Sequence, residues 1–226
     1  MRAPLGGEGS TGSASIPQLS VRDHGRLSEV GRTLPAMNEI NEPVPLEPPV
    51  AGGEADTLIG SLERQRRTFA WKCADLDAAG LGATLAPSSV TLGGLLKHLA
   101  LVEEEYFTRR LLGQELGRPW NAVDWDAVPD WEWRSAADDT PEQLYALWED
   151  AVARSRANVR RVLAEGGLDT LAIRTWPDGR APSLRRILID LIEEYARHTG
   201  HADLLREAID GRVGEDPPGP ALPYPG

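Results

Sequence analysis

Apolar residues recur at three- and four-residue steps in four long segments of the chain, the spacing that lines one face of a helix. The first, from Asp56 to about Leu76, sets Leu58, Ile59, Leu62, Phe69 and Cys73 near one stripe and leaves "ERQRR" to face water, with Gly80 and Gly82 as its stop. The second follows Thr91 as N-cap, and Leu92, Leu95, Leu96, Leu99, Val102 and Tyr106 carry it to Gly113. Its paired glycines, Gly93 and Gly94, fall in the first turn, where glycine costs least. The third opens on Thr140, Pro141, Glu142 and Gln143, which supply an N-cap, a proline at the first helical position and a capping-box partner. Leu144, Leu147, Trp148, Ala151, Val159 and Val162 continue it to Gly166 and Gly167. In the fourth, Ser183 caps a run through Leu184, Ile187, Leu188, Leu191, Ile192, Tyr195, Ala202, Leu205 and Ile209 to Gly211. The fold this predicts is all-α, a four-helix bundle.

The connections refine that expectation. Between the second and third helices, "GRPWNAVDWDAVPDWEW" forms a long crossover loop carrying Trp120, Trp125, Trp131 and Trp133, four of the seven tryptophans. Tryptophan is too apolar to leave in water, so the loop should lie across the bundle, walling a pocket or stapling the loop down. A second connection, residues 167–182, holds a Pro-Asp-Gly turn and is expected to form a tight turn or short hairpin. Residues 1–52 are rich in Gly, Ser, Pro and charge and read as a disordered arm that contains His24. Within it, residues 1–36 are expected to be an upstream extension, because a second methionine, Met37, stands just before the proline-rich segment. The bundle is then expected over residues 53–214, with a flexible tail at 215–226.

Composition narrows the function classes. A net charge of -11 disfavours nucleic acid and anionic membrane surfaces, which need a basic face. No apolar run reaches the roughly 20 residues that span a bilayer, and the N-terminus lacks the apolar core of a signal peptide, so a cytoplasmic protein is expected. One cysteine, Cys73, excludes an intramolecular disulfide and a multi-cysteine zinc site. It sits on an apolar stripe and reads as core.

Two of the four histidines fall within "EEYARHTGH". Glu194, His198 and His201 are spaced by four and then three residues, so they stack on one helical face between Leu191 and Leu205. His98 holds a matching place on the second helix, in the series Leu95, His98, Val102, Tyr106. Two histidines and a carboxylate leave coordination positions open, as in catalytic zinc and non-haem iron sites. The same spacing also suits histidines simply tied to acids such as Glu194 or Asp203. The run Glu103, Glu104, Glu105 reads mainly as a solvated face, with Glu105 near enough to reach the cavity. Arg109, Arg110 and Arg197 are candidates for anchoring the carboxylate of an acidic cosubstrate.

"LLKHLALVEEEYF" and "IEEYARHTGHADLLREAIDG" together resemble the DinB-like superfamily of four-helix-bundle metalloproteins, in the branch near the mycothiol-dependent transferases. "EPPVAGGEADTLIGSLERQRRTFAWKCADL" is similar to the way members of that branch begin, and the resemblance covers roughly residues 45–214. It implies a divalent metal held by a histidine of the second helix and a histidine pair of the fourth. On this sequence those positions fall on His98, Glu194 and His198; a carboxylate replaces the middle histidine, and His201 stands where glutamine is usual. His201 is then a further ligand or a support to one.

The resemblance implies a metal-dependent thiol S-transferase or isomerase acting on a small electrophile. Its cofactors would be a divalent metal, zinc ahead of nickel, manganese or iron, and a low-molecular-weight thiol, with Arg109 and Arg197 as cofactor-binding residues. A metal-dependent hydrolase, or a non-catalytic bundle with a structural metal, is the alternative. A small-molecule substrate is the expected partner, and the bundle class admits a homodimer.

Overall fold

The computed structural model describes residues 47–217, all within one unit of the chain, Asn41–Gly226. The expected arm up to residue 46, with His24, and the end of the tail lie outside the described residues. Among the described residues six α-helices follow in order: α1 (Glu54–Cys73), α2 (Ala78–Leu81), α3 (Leu92–Glu103), α4 (Trp131–Ser135), α5 (Pro141–Gly166) and α6 (Leu184–Asp210). The four long ones form the expected bundle, with α1 along α6, α3 along α5, and α3 also against α6. No described helix is long and apolar enough to cross a membrane.

The caps read from sequence hold. Thr140 Oγ1 accepts from Gln143 N, and Gln143 Oε1 accepts from Thr140 N at 2.8 Å, closing the capping box of α5. Thr91 and Ser183 cap α3 and α6 through their hydroxyls alone, accepting from Gly94 N and Arg186 N, and Gly211 ends α6 with a left-handed φ of 78°. By contrast, α1 stops at Cys73, ahead of the expected Leu76, because Asp75 takes a positive φ; Gly80 and Gly82 belong to the short α2 and its end. The Pro-Asp-Gly segment makes a tight turn, closed by a bond from Trp176 N to Arg180 O at 2.8 Å, and its only β pairing among the described residues is one bridge, Leu171 with Ser183.

Beyond Glu103, α3 widens into a π-helical turn, Glu104–Arg110. The extra residue in that turn rotates the positions after it, so the core place expected at Tyr106 passes to Phe107 and Leu111. Tyr106 is left half-buried. A period read from sequence assumes a constant twist, and here the twist changes within the helix.

The charged residues of the core depart most from expectation. Glu63 and Arg66 of "ERQRR" do not face out, and Glu103 and Glu104 are not a solvated face: all four are at least 95 % buried. Arg66 gives two bonds to the Glu103 carboxylate, at 2.7 and 2.6 Å, and one to Glu63 at 2.6 Å. Arg156 from α5 closes on Glu63 at 3.0 and 2.6 Å, and Arg154 reaches Glu104 at 2.5 Å. Tyr195 of α6 donates to Glu103 Oε1 at 2.8 Å and accepts from Trp148 Nε1 at 2.9 Å. Buried charges are tolerable only when paired and hydrogen-bonded, and this network meets that condition with residues of α1, α3, α5 and α6. Burial and the Glu103 carboxylate push the Tyr195 phenol well above its ordinary pKa, which keeps it a proton donor.

The end of the expected disordered arm is docked rather than loose over residues 47–52. Glu47 pairs with Arg64 and Arg67 of α1, and a Cβ added at Gly60 would come within 2.6 Å of Pro48 Cα, so only glycine permits this approach. At the other end, Glu215 O accepts from Thr68 Oγ1 at 2.9 Å. Cys73 is fully buried, as expected of a core residue.

Candidate metal centre

His98 stands on the inner face of α3, and Glu194 and His198 stand one turn apart on α6. Packing of α3 against α6 brings one ligand atom from each of these three within 4.8 Å of the others. The two imidazole rings meet edge to face, their centroids 4.8 Å apart at 70°. His98 and His198 are 7 % and 8 % exposed, whereas the Glu194 side chain is 37 % exposed, so the site is dry on the bundle side and open where Glu194 lies.

His198 Nε2 lies 3.4 Å from Glu194 Oε2. The contact with His198 holds the Glu194 carboxyl below its usual range, helped by the charges of His98 and Arg197 and opposed by burial. Burial lowers the His198 pKa, with Glu194 acting in the opposite sense. Both shifts favour the forms that bind a cation, a neutral imidazole and an ionised carboxylate.

The remaining candidates divide. His201 is exposed, and its Nδ1 is 3.4 Å from His198 Nδ1, the ring nitrogen opposite the one near Glu194. It therefore stands beside His198 rather than within the three-residue cluster. Asp203 pairs with Lys72 at 2.8 Å. Glu105 does not join the cluster either; it accepts from Arg109 at 3.1 Å and from Arg110 at 3.2 Å. Arg110 stacks on Trp176, its guanidinium carbon 4.0 Å from the ring centroid. Arg197 is exposed on α6, near enough for its charge to act on Glu194.

The crossover loop supplies what sequence reasoning missed. Its short helix α4 packs on α3, where Trp133 stacks on His98 with centroids 4.5 Å apart and planes at 24°, and lies 6.0 Å from the His198 ring. The preceding residue, Glu132, is 2 % exposed and places Oε1 3.3 Å from His98 Nδ1. A sequence signal was present: an acid between two tryptophans in a loop expected to lie on the bundle. The other tryptophans act as a staple, with Trp120 and Trp125 packed edge-on against Trp131 at 6.1 and 6.3 Å.

Of the glycine pair of α3, Gly94 lets this loop settle, whereas Gly93 lets Leu144 of α5 approach. A Cβ at Gly94 would lie 3.0 Å from Trp133 Cε3, and one at Gly93 would lie 3.2 Å from Leu144 Cδ1. A groove of about 410 Å³ touches α4 through Trp131 and Ser135, but none of His98, Glu194 and His198 lines it. Its cation, Lys97, is engaged by Asp139 at 2.5 Å and by the Trp131 ring. Access to the cluster is accordingly from the Glu194 and His201 side.

The donor set fits a divalent cation. It combines two imidazoles with a carboxylate, the mixed nitrogen and oxygen set of zinc and non-haem iron sites, and three protein ligands leave positions for exogenous groups. A family model described as "MST: Mycothiol-S-transferase" matches residues 57–211, a span that includes His98, Glu194 and His198. A search of curated proteins gives no match. Among solved structures, the conserved protein of a locus from Enterococcus faecalis is similar at 19 % identity and a TM-score of 0.45, over 72 % of this chain and 100 % of that one. That likeness is too slight to bear on function.

Proposed function

The chain belongs to the mycothiol-S-transferase family, and we propose that it is a metal-dependent thiol S-transferase or isomerase, joining a low-molecular-weight thiol to a small electrophile. The observation that carries the reading is the convergence of His98, Glu194 and His198, with one side open, inside a match to that family. His98, Glu194 and His198 would hold the cation, zinc ahead of nickel, manganese or iron. A divalent cation supplies a Lewis acid there, which lowers the pKa of a coordinated thiol toward neutrality.

The chain's own residues do the rest. Trp133 closes one face of His98 and keeps water from that side, while Glu194 leaves the opposite side open to a ligand. Arg197 and Arg109 are the groups we assign to a carboxylate of the thiol or the electrophile, since a guanidinium fork suits that anion. Arg197 would act from the exposed rim beside Glu194, and Arg109 from the π-helical turn, exchanging its bond to Glu105. Cys73 plays no nucleophilic part in this scheme: it is fully buried, and burial raises its thiol well above the ordinary range. The nucleophile must arrive with the substrate.

The test is turnover of an activated electrophile by metal-loaded protein, with and without added mycothiol or another small thiol. Thiol-dependent loss of the electrophile, abolished in His98→Ala and Glu194→Ala, is expected. Equal turnover with water alone would overturn the transferase reading in favour of hydrolysis.

A further inference from the structure

The short helix α4 holds the ring of His98 twice, from its face through Trp133 and from its edge through Glu132. Consecutive helical residues project about 100° apart, which is how neighbours in one turn reach face and edge of the same ring. Glu132 lies outside the three-ligand cluster, is almost wholly buried, and leaves its second oxygen, Oε2, without a hydrogen-bond partner. A buried carboxylate with an unused oxygen is costly, and folds keep such groups mainly where they serve a site.

We propose that Glu132 is the positioning residue of the cation site, accepting a hydrogen bond from His98 Nδ1–H so that Nε2 carries the lone pair offered to the metal. The inference rests on the metal reading above and adds a residue to it. The consequence follows from imidazole chemistry: a neutral ring has one protonated and one bare nitrogen, and the partner of one nitrogen decides the state of the other. A carboxylate at Nδ1 fixes the tautomer and the ring plane and makes Nε2 a better donor. Since the negative charge of Glu132 is compensated best when a cation is bound nearby, its removal weakens the loaded state more than the metal-free one. The tryptophan-rich crossover is thereby part of the metal centre, as well as a cover for α3.

Two readouts test this, with zinc as the probe. In metal-free protein, nitrogen-15 NMR of the imidazoles should show His98 protonated at Nδ1 in the parent and in Glu132→Gln, whose amide oxygen still accepts the bond. Glu132→Ala should lose that preference. Zinc competition against a chromogenic chelator should give a 10- to 100-fold weaker site in Glu132→Ala, with Glu132→Gln between it and the parent. A residue that only supported the fold would instead lower the melting temperature of metal-free Glu132→Gln and leave its zinc affinity at the parent's value. A parent His98 protonated at Nε2, or zinc affinities within two-fold across all three proteins, overturns the proposal while leaving the metal reading intact. No zinc bound by the parent overturns both.

Discussion

His98 and His198 face each other across the α3–α6 seam with ring centroids 4.8 Å apart, and Glu194 lies 3.4 Å from the second of them. Purified protein is expected to hold a divalent metal that His98→Ala, Glu194→Ala and His198→Ala each largely lose, by elemental analysis. Equal content in parent and variants would refute the site. The loss should be greater for the histidines than for Glu194, because Glu194 is the more exposed of the three and water can take its place.

Acid should weaken both the site and the metal-free fold. His198 has a folded pKa below the ordinary imidazole value of about 6.5, so its unfolded form takes up a proton first and stability falls as pH drops through that value. Glu194 is depressed in the fold, so the stability it contributes is present above the ordinary carboxyl range and is lost as pH falls through its folded pKa. Metal retention should persist somewhat below pH 6.5 and then fail. Chemical denaturation and metal content measured from pH 8 to pH 4 check both; stability that rises on acidification in this window would contradict the assignment.

The buried network makes a separate claim about stability. Arg66→Ala leaves Glu103 without its bidentate partner and should cost roughly 3–5 kcal/mol in denaturant unfolding. Tyr195→Phe removes one bond to the same carboxylate and should cost about 1–3 kcal/mol. Metal stoichiometry of the folded Tyr195→Phe protein should match the parent, because Tyr195 is engaged by Glu103 and Trp148 and lies outside the three-ligand cluster.

Gly94→Val tests the seating of the crossover loop. The added carbons would drive against the Trp133 ring, and the overpacking should cost about 1–3 kcal/mol despite better helix propensity. Displacing Trp133 from His98 should also change tryptophan fluorescence and weaken metal binding. A variant as stable as the parent, with unchanged emission, would show that the close approach has no consequence.

Cys73 should resist alkylating reagents in the native protein and react on unfolding, since its thiol is buried and pushed up by that burial. Labelling followed by mass spectrometry reads this directly, and rapid native labelling would reopen Cys73 as a nucleophile.

Local rules made most of the bundle legible. Caps at Thr91, Thr140 and Ser183 and the stops at Gly167 and Gly211 are set by residues within a turn of one another, and they stand where the pattern places them. His98, Glu194 and His198 were readable as inward-facing because helical periodicity fixes a direction of projection, and the structure brings them together. The acids and arginines misled because their burial depends on partners far away in sequence: Arg66 with Glu103, Arg156 with Glu63. Tyr106 misled because a π-helical turn shifts the register of everything beyond it.

Spacing along a single segment is enough to set the four long helices, their ends, and the faces that carry imidazole and carboxylate. Long-range packing is what brings the crossover loop to the cluster, sets Glu132 against His98, and leaves His201 beside His198 rather than in the cluster. Those facts depend on where one segment lands on another, and such landing is settled by packing summed over the whole core, as at Gly94 beneath Trp133.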